Sequence, residues 1–334
     1  MKAAVTGATG HIGANLVRHL MQMGIEVRVL VHRDRRGIEG LGLDHVEGSV
    51  LDKASLSRLF EGVDVAYHLA ALISITGDPD GQVRRTNVNG AENAARAALE
   101  AGVGRFVHVS SVHAYDLSRG GAPIDESSVP SGSDRPAYDY SKALGQARVK
   151  AVIADGLDGV LVNPVGVVGP GDFRPSRMGH FFLDLAHRRL PALVEGGFTW
   201  VDVRDVVTAM VAASERGSTG QNYLLGGPRL TTQQLADVAQ QVIGVVPPRL
   251  VTPLWMARLG APLMEWSARA TRKEPLYTRE ALDALETNPQ VDDSLARAEL
   301  GHVARPMEET VRDTYAWFAA RDQLPKELRL GELQ

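Results

Sequence analysis

A chain of 334 residues is about twice the length of one small domain, which implies one large α/β domain or a large domain with a smaller companion. Its residues are 44% hydrophobic and 23% charged, the composition of a soluble globular protein, and this excludes disorder as the main state. A net charge of −4 gives no broad positive field for nucleic acid or an anionic membrane, and the lack of cysteine excludes disulfides, thiolate metal sites, Fe–S clusters and a cysteine nucleophile.

The amino terminus, Met1 to Val5, enters a glycine-rich turn without a basic leader or a small-residue cleavage site, and reads as mature and cytoplasmic. Short apolar runs then alternate with helical patterns. Strands are predicted at Lys2 to Thr6, Glu26 to Val31, His45 to Glu47, Asp64 to Leu69, Arg105 to Ser110 and Gly159 to Asn163. Between them Ala14 to Met23 carries Leu16, Leu20 and Met23 on one helical face and stops at Gly24, and Val88 to Ala101 stops at Gly102. Parallel strands must be joined by crossover helices, so the alternation predicts an α/β fold with a Rossmann-type doubly wound parallel sheet.

After Asn163-Pro164 the alternation loosens. Phe198 to Val203 and Gln221 to Leu225 read as short strands by which the chain returns to the sheet. The expected division is a dinucleotide-binding domain over 1–165 with returning segments in 198–226, a smaller substrate-binding domain over 166–197 and 227–320, and a charged, solvated tail over 321–334. Leu250 to Trp266 is the most apolar late segment, but Pro253, Arg258, Pro262 and Glu265 interrupt it. It reads as a buried helix pair, not a span.

Three glycines recur every third residue in Thr6-Gly7-Ala8-Thr9-Gly10-His11-Ile12-Gly13, between the first strand and the first helix. Glycine has no Cβ to keep a ligand from the main chain, and a helix starting near Gly13 offers free N–H groups to a pyrophosphate. Thr6, Gly7, Thr9, Gly10, His11, Ile12 and Gly13 are therefore candidate contacts for a dinucleotide. The second strand ends Val31-His32-Arg33-Asp34-Arg35-Arg36, with no acid at His32 to hold ribose hydroxyls and several cations after it. A 2′-phosphate would find partners at His32 and Arg33, so NADP(H) is favoured, with NAD(H) the alternative.

Tyr138 and Lys142 stand four apart, on one face of a helix. A nearby ammonium is expected to lower the phenol's pKa and fit Tyr138 for general acid and base work. Ser111 ends the fifth strand, at the carboxyl edge where open α/β sheets bind ligands, and can hydrogen-bond a substrate oxygen. His113, two residues on, reads as a satisfied polar neighbour. The ten histidines are scattered without the i, i+4 pairing of a zinc helix, so no metal is expected.

Together these motifs resemble the extended short-chain dehydrogenase/reductase family, within the NAD-dependent epimerase/dehydratase superfamily, and its dihydroflavonol-4-reductase-like and 3β-hydroxysteroid-dehydrogenase-like branch. The resemblance implies that Ser111, Tyr138 and Lys142 are catalytic, with Lys142 also bonding the nicotinamide ribose, and that Asn87 of Asn87-Val88-Asn89-Gly90 supports them. It places Leu69, Ala70 and Ala71 beneath the adenine ribose. Ser49, followed by Val50, stands where the family usually has an acid on the adenine amine. Val109 and Asn163, Pro164, Val165, Gly166 and Val167 fall beside the nicotinamide. The implied activity is NADP(H)-dependent interconversion of a carbonyl and a secondary alcohol on a small, apolar or ring-containing molecule. A sugar-nucleotide epimerase or dehydratase with tightly held NAD is the rival, and a non-enzymatic dinucleotide sensor a third reading. Leu250 to Trp266 and Lys273 to Thr278 resemble the branch's lid, and Val88 to Ala101 with Ala143 to Ile153 suggest a helix-mediated homodimer. A small-molecule substrate is the expected partner, with no nucleic acid and no stable membrane insertion.

Overall fold

A computed structural model describes residues 1–118, 123–259, 278–287 and 290–328. In chain order its strands are β1 (Lys2–Thr6), β2 (Glu26–Val31), β3 (Asp44–Glu47), β4 (Val65–His68), β5 (Arg105–Val109), β6 (Gly159–Pro164), β7 (Gly166–Val168), β8 (Leu193–Val194), β9 (Gly197–Asp202), β10 (Asn222–Leu225), β11 (Arg229–Thr231) and β12 (Val251–Thr252). Seven form one sheet in the order β10-β6-β5-β4-β1-β2-β3, paired in parallel throughout. The order turns back on itself between β1 and β4, and a crevice opens there at the carboxyl ends of the strands.

Both faces of this sheet are covered, which is why its strands are valine-rich runs instead of alternating patterns. On one face Val5, Val29 and Val107 pack with Leu16 and Leu20 of α1 (His11–Gln22). On the other, Ala4, Ala66 and Phe106 meet Leu56, Leu59 and Phe60 of α2 (Lys53–Phe60). The same face receives α3 (Gln82–Arg84), which runs through a π turn at Arg85–Asn89 into α4 (Gly90–Glu100), and α5 (Ala137–Ala154). A separate core joins Phe182 and Leu185 of α6 (Arg177–Ala186), Leu235 and Ala239 of α8 (Thr232–Ile243), and Tyr315 and Phe318 of the helix Met307–Ala319. Between α6 and α8, α7 (Val203–Arg216) buries Val206, Val207 and Met210 against the first face.

Three expectations are corrected. Only Asn222–Leu225 rejoins the large sheet; β9 lies in a three-stranded sheet, β11-β9-β7. Trp200 draws it there, because its buried ring belongs to the third core and its indole N–H donates to Leu230 O at 3.3 Å. Gly166 makes the approach possible, since a Cβ there would meet that ring at 2.8 Å. The tail is not wholly solvated: Asp322, Lys326 and Glu327 are exposed, but Leu324 is buried, Arg321 covers the rings of Phe173 and Trp317, and Gln323 O lies 3.0 Å from His187 Nε2. Nor is the start of the segment from Leu250 a buried helix pair. Residues 254–259 are helical, but Leu250, Trp255 and Leu259 are exposed. The rest of that segment and Lys273 to Tyr277 lie outside the described residues. Among the described residues, no helix is long and apolar enough to cross a membrane.

Candidate active site

The glycine-rich turn after β1 uses its three glycines differently. Gly7 takes φ +70° and lies so close to the turn after β4 that a Cβ would meet Ala70 N and Leu69 C at 2.7 Å. A Cβ at Gly13 would meet Gly7 O at 2.1 Å. Both are therefore demanded by the fold itself. Gly10 is not: a Cβ there would touch only Gly7 O, at an ordinary 3.5 Å, so its bareness leaves room on the exposed side. It is also the N-cap of α1, which begins at His11, and no side chain caps that end. A main-chain cradle open to solvent at an uncapped helix start fits a pyrophosphate.

That cradle is one end of a cavity of about 1400 Å³. Gly7, Gly10, His11, Ile12, Gly13, Leu69, Ala71, Val109, Ser111, Tyr138, Lys142, Pro164, Val165, Gly166 and Val167 all stand in its wall. Its far end is apolar, lined by Phe181, Leu190, Leu193, Phe198 and Leu235 from the second half of the chain. Thr9, His32, Arg33, Ser49, Val50 and Ala70 lie outside this wall. Thr9 O comes within 2.8 Å of where a Cβ on Gly37 would stand, which ties the turn to the loop after β2. Ser49 Oγ accepts from Leu51 N at 3.2 Å, and Val50 packs on Gly90.

Two candidates turn inward. Thr6 is wholly buried; its hydroxyl meets His68 Nδ1 at 2.8 Å and accepts from Leu69 N and Ala70 N, pinning β1 to β4. Asn163 is wholly buried as well, and its Nδ2 donates to Ser111 O and Gln146 Oε1, both at 2.9 Å. These bonds hold both side chains within the fold, where that of Asn163 helps to position Ser111.

Tyr138 and Lys142 stand four apart on α5, and both share the cavity wall with Ser111. Desolvation pushes this phenol up to about 12, with the nearby Ser111 hydroxyl opposing and the Asp139 charge adding to the rise. Lys142 is buried, donates to Val109 O at 3.1 Å, and is itself lowered to about 8 by burial. Burial opposes the depression of the phenol expected from this ammonium, because it makes each charged form costly.

The π turn at Arg85–Asn89 aims Asn87 at α5. Its Nδ2 donates to Leu72 O and Ser141 Oγ at 2.9 Å, its Oδ1 accepts from Leu72 N at 2.8 Å, and Ser141 Oγ donates to Tyr138 O at 2.7 Å. The close packing depends on Gly145, where a Cβ would meet Asn87 O at 2.2 Å. Sequence reasoning passed over Gly145, although a glycine inside a strongly helical run is a signal of close approach. It also passed over Asp139, which lies 3.0 Å from His113 Nδ1. His113 is thus satisfied, as expected, but it also stands in the cavity wall with its ring edge toward Tyr138.

Residues 3–226 match the NAD dependent epimerase/dehydratase family. The chain is 35% identical over 328 residues to sterol demethylase protein B of Methylococcus capsulatus, covering 97% of this chain and 100% of that one. It is 32% identical over 321 residues to a Synechocystis sp. protein named as a dihydroflavonol 4-reductase, covering 94% and 93%. The crystal structure of gox2253 superposes with a TM-score of 0.83 at 34% identity, covering 97% and 99%. The chain belongs to the NAD dependent epimerase/dehydratase family. It is an NAD(P)-dependent oxidoreductase of the extended short-chain dehydrogenase/reductase type.

Proposed function

We propose that this chain is an NADP(H)-dependent oxidoreductase that interconverts a carbonyl and a secondary alcohol on a small apolar or ring-containing substrate, with residues 166–197 and 227–320 forming most of the substrate side. The observation that carries the reading is the meeting of Ser111, Tyr138 and Lys142 in the wall of one cavity that runs from the glycine cradle to an apolar end. When bound, a reduced nicotinamide supplies the hydride to the carbonyl carbon. This chain supplies the rest. Gly7 to Gly13 hold the diphosphate against main chain, and Pro164 to Val167 flank the ring. Ser111 orients the substrate oxygen, and Tyr138 gives its proton to that oxygen as negative charge develops there. A phenol raised by burial stays protonated at neutral pH, the form from which a proton can be given. Lys142 then stabilises the phenolate left behind.

The relatives named for a sterol and a dihydroflavonol support an apolar, ring-bearing substrate. The lining of Phe181, Leu190, Leu193, Phe198 and Leu235 suits an apolar ring better than a sugar nucleotide. The test is Tyr138→Phe: turnover of a ketone panel should fall by about 10²- to 10⁴-fold while NADPH affinity is kept. Unchanged turnover would remove Tyr138 from the mechanism.

A further inference from the structure

Most of the charges at the end of β2 are engaged with one another. Arg35 pairs with Glu47 at 2.5 Å, and Arg36 takes both oxygens of Asp34 at 2.6 to 3.2 Å. Asp34, with its carboxyl held down to about 2 chiefly by that bond, is matched by Arg36 and does not stand as a lone anion. Among the described residues, Arg33 makes no hydrogen bond or ion pair and is exposed.

A second unpaired cation reaches this place from the other half of the chain. After β7, the loop through Gly169 and Ser176 lies along the outer side of α1: His11 Nε2 is 3.0 Å from Pro170 O, and Asn15 Nδ2 donates to the same oxygen at 3.1 Å. Gly171 takes φ +77°, where a Cβ would meet Asn15 Nδ2 at 2.5 Å. Next, the Phe173 ring lies 4.3 Å from the Arg18 guanidinium carbon, and Arg18 Nη1 donates to Gly37 O at 2.6 Å. Phe173 is thereby stapled to the loop that follows β2. The residue after it is Arg174, which is exposed and makes no hydrogen bond or ion pair among the described residues. Its charge reaches Asp34 and adds to the depression of that carboxyl.

We propose that Arg174 and Arg33 together bind the 2′-phosphate of NADP(H), so that a loop of the substrate half helps to choose the cofactor. This rests on the reading of the protein as NADP(H)-dependent. A phosphate presents several acceptor oxygens to two guanidinium forks, whereas the 2′-hydroxyl of NAD(H) would leave both cations with water alone. The anchored Phe173 holds Arg174 near that phosphate before the cofactor arrives, which reduces the ordering cost of binding.

The test is fluorescence titration of the full chain with NADPH and with NADH, for wild type, Arg174→Ala, Arg174→Lys, Arg174→Glu and Arg33→Ala. Wild type should prefer NADPH. Arg174→Ala and Arg33→Ala should each weaken NADPH by about tenfold and leave NADH within about twofold, the range for losing a hydrogen bond to a charged group. Arg174→Lys should recover part of the loss, and Arg174→Glu should favour NADH. If wild type prefers NADH, the NADP(H) reading and this proposal fall together. If wild type prefers NADPH but Arg174→Ala leaves the ratio unchanged, or weakens both nucleotides equally, only the role of Arg174 is overturned.

Discussion

Lys142 sits where an ammonium is costly to keep. It is buried, Val109 O accepts its hydrogen bond at 3.1 Å, and burial lowers it to about 8 from the usual 10.5. Between these values the unfolded chain binds more protons than the folded one, so stability rises with pH across that window and the cost is present in full below it. Lys142→Met removes the cost while filling the same space. At pH 7 the variant should be more stable than wild type by up to roughly 3 kcal/mol, less what the orphaned Val109 carbonyl gives back. The gap should close as pH rises past 10, measured by urea midpoints, while turnover is lost. A gap that does not change with pH would show that the ammonium is well solvated. The spacing of Tyr138 and Lys142 identified the pair in the sequence, yet it did not give the direction of the phenol's shift. Residue types four apart report a shared helix face, whereas desolvation depends on what covers that face. The same limit hid the inward turn of Thr6 and Asn163, since a pattern names a donor without saying where it points.

At the scale of elements, β4 and β5 stack two histidines under the site. His68 and His108 are register partners, their rings lie 5.4 Å apart, and both are buried. Desolvation lowers His68 to about 3, with the Lys142 charge adding, and lowers His108 well below its usual value, with the His68 and then the Lys142 charge adding. They are neutral in the fold but take up protons near 6.5 when unfolded, so stability must fall as pH drops below that value. Two such groups give a slope of about 2.7 kcal/mol per pH unit once the unfolded chain is fully protonated. In His108→Phe the slope between pH 5.5 and 4.5 should be shallower by about 1.4 kcal/mol per unit. An identical slope in the variant would mean that His108 takes up its proton in the folded state. The strands themselves were legible because a sheet covered on both faces writes its runs in valine and alanine. Outside that sheet the short strands β7, β8, β11 and β12 went unread, and β9 was read but misplaced, since its run looks like those of the large sheet while its partner is chosen by Trp200 and by a glycine far away in sequence.

Across the whole molecule, the carboxyl-terminal segment closes a seam that links the two halves. Arg321 lies 4.8 Å from the Phe173 ring centre and 5.0 Å from that of Trp317, and Arg18 of α1 meets Phe173 from its own element. Leu324 is buried beside the third core. In the sequence this segment shows mainly charge, and a lone leucine among charged residues is indistinguishable from an exposed one until its neighbours are in place. Burying that leucine contributes about 1.5–3 kcal/mol, and each cation–π contact about 0.5–1 kcal/mol. A chain ending at Ala320 should therefore lose roughly 3 kcal/mol, read as a lower urea midpoint with the slope of the transition little changed. An unaltered midpoint would restore the solvated tail that the charge pattern predicts. Loss of NADPH affinity in the same variant, beyond any loss for NADH, would connect the seam to the position of Arg174, because Phe173 is the residue that Arg321 and Arg18 hold between them.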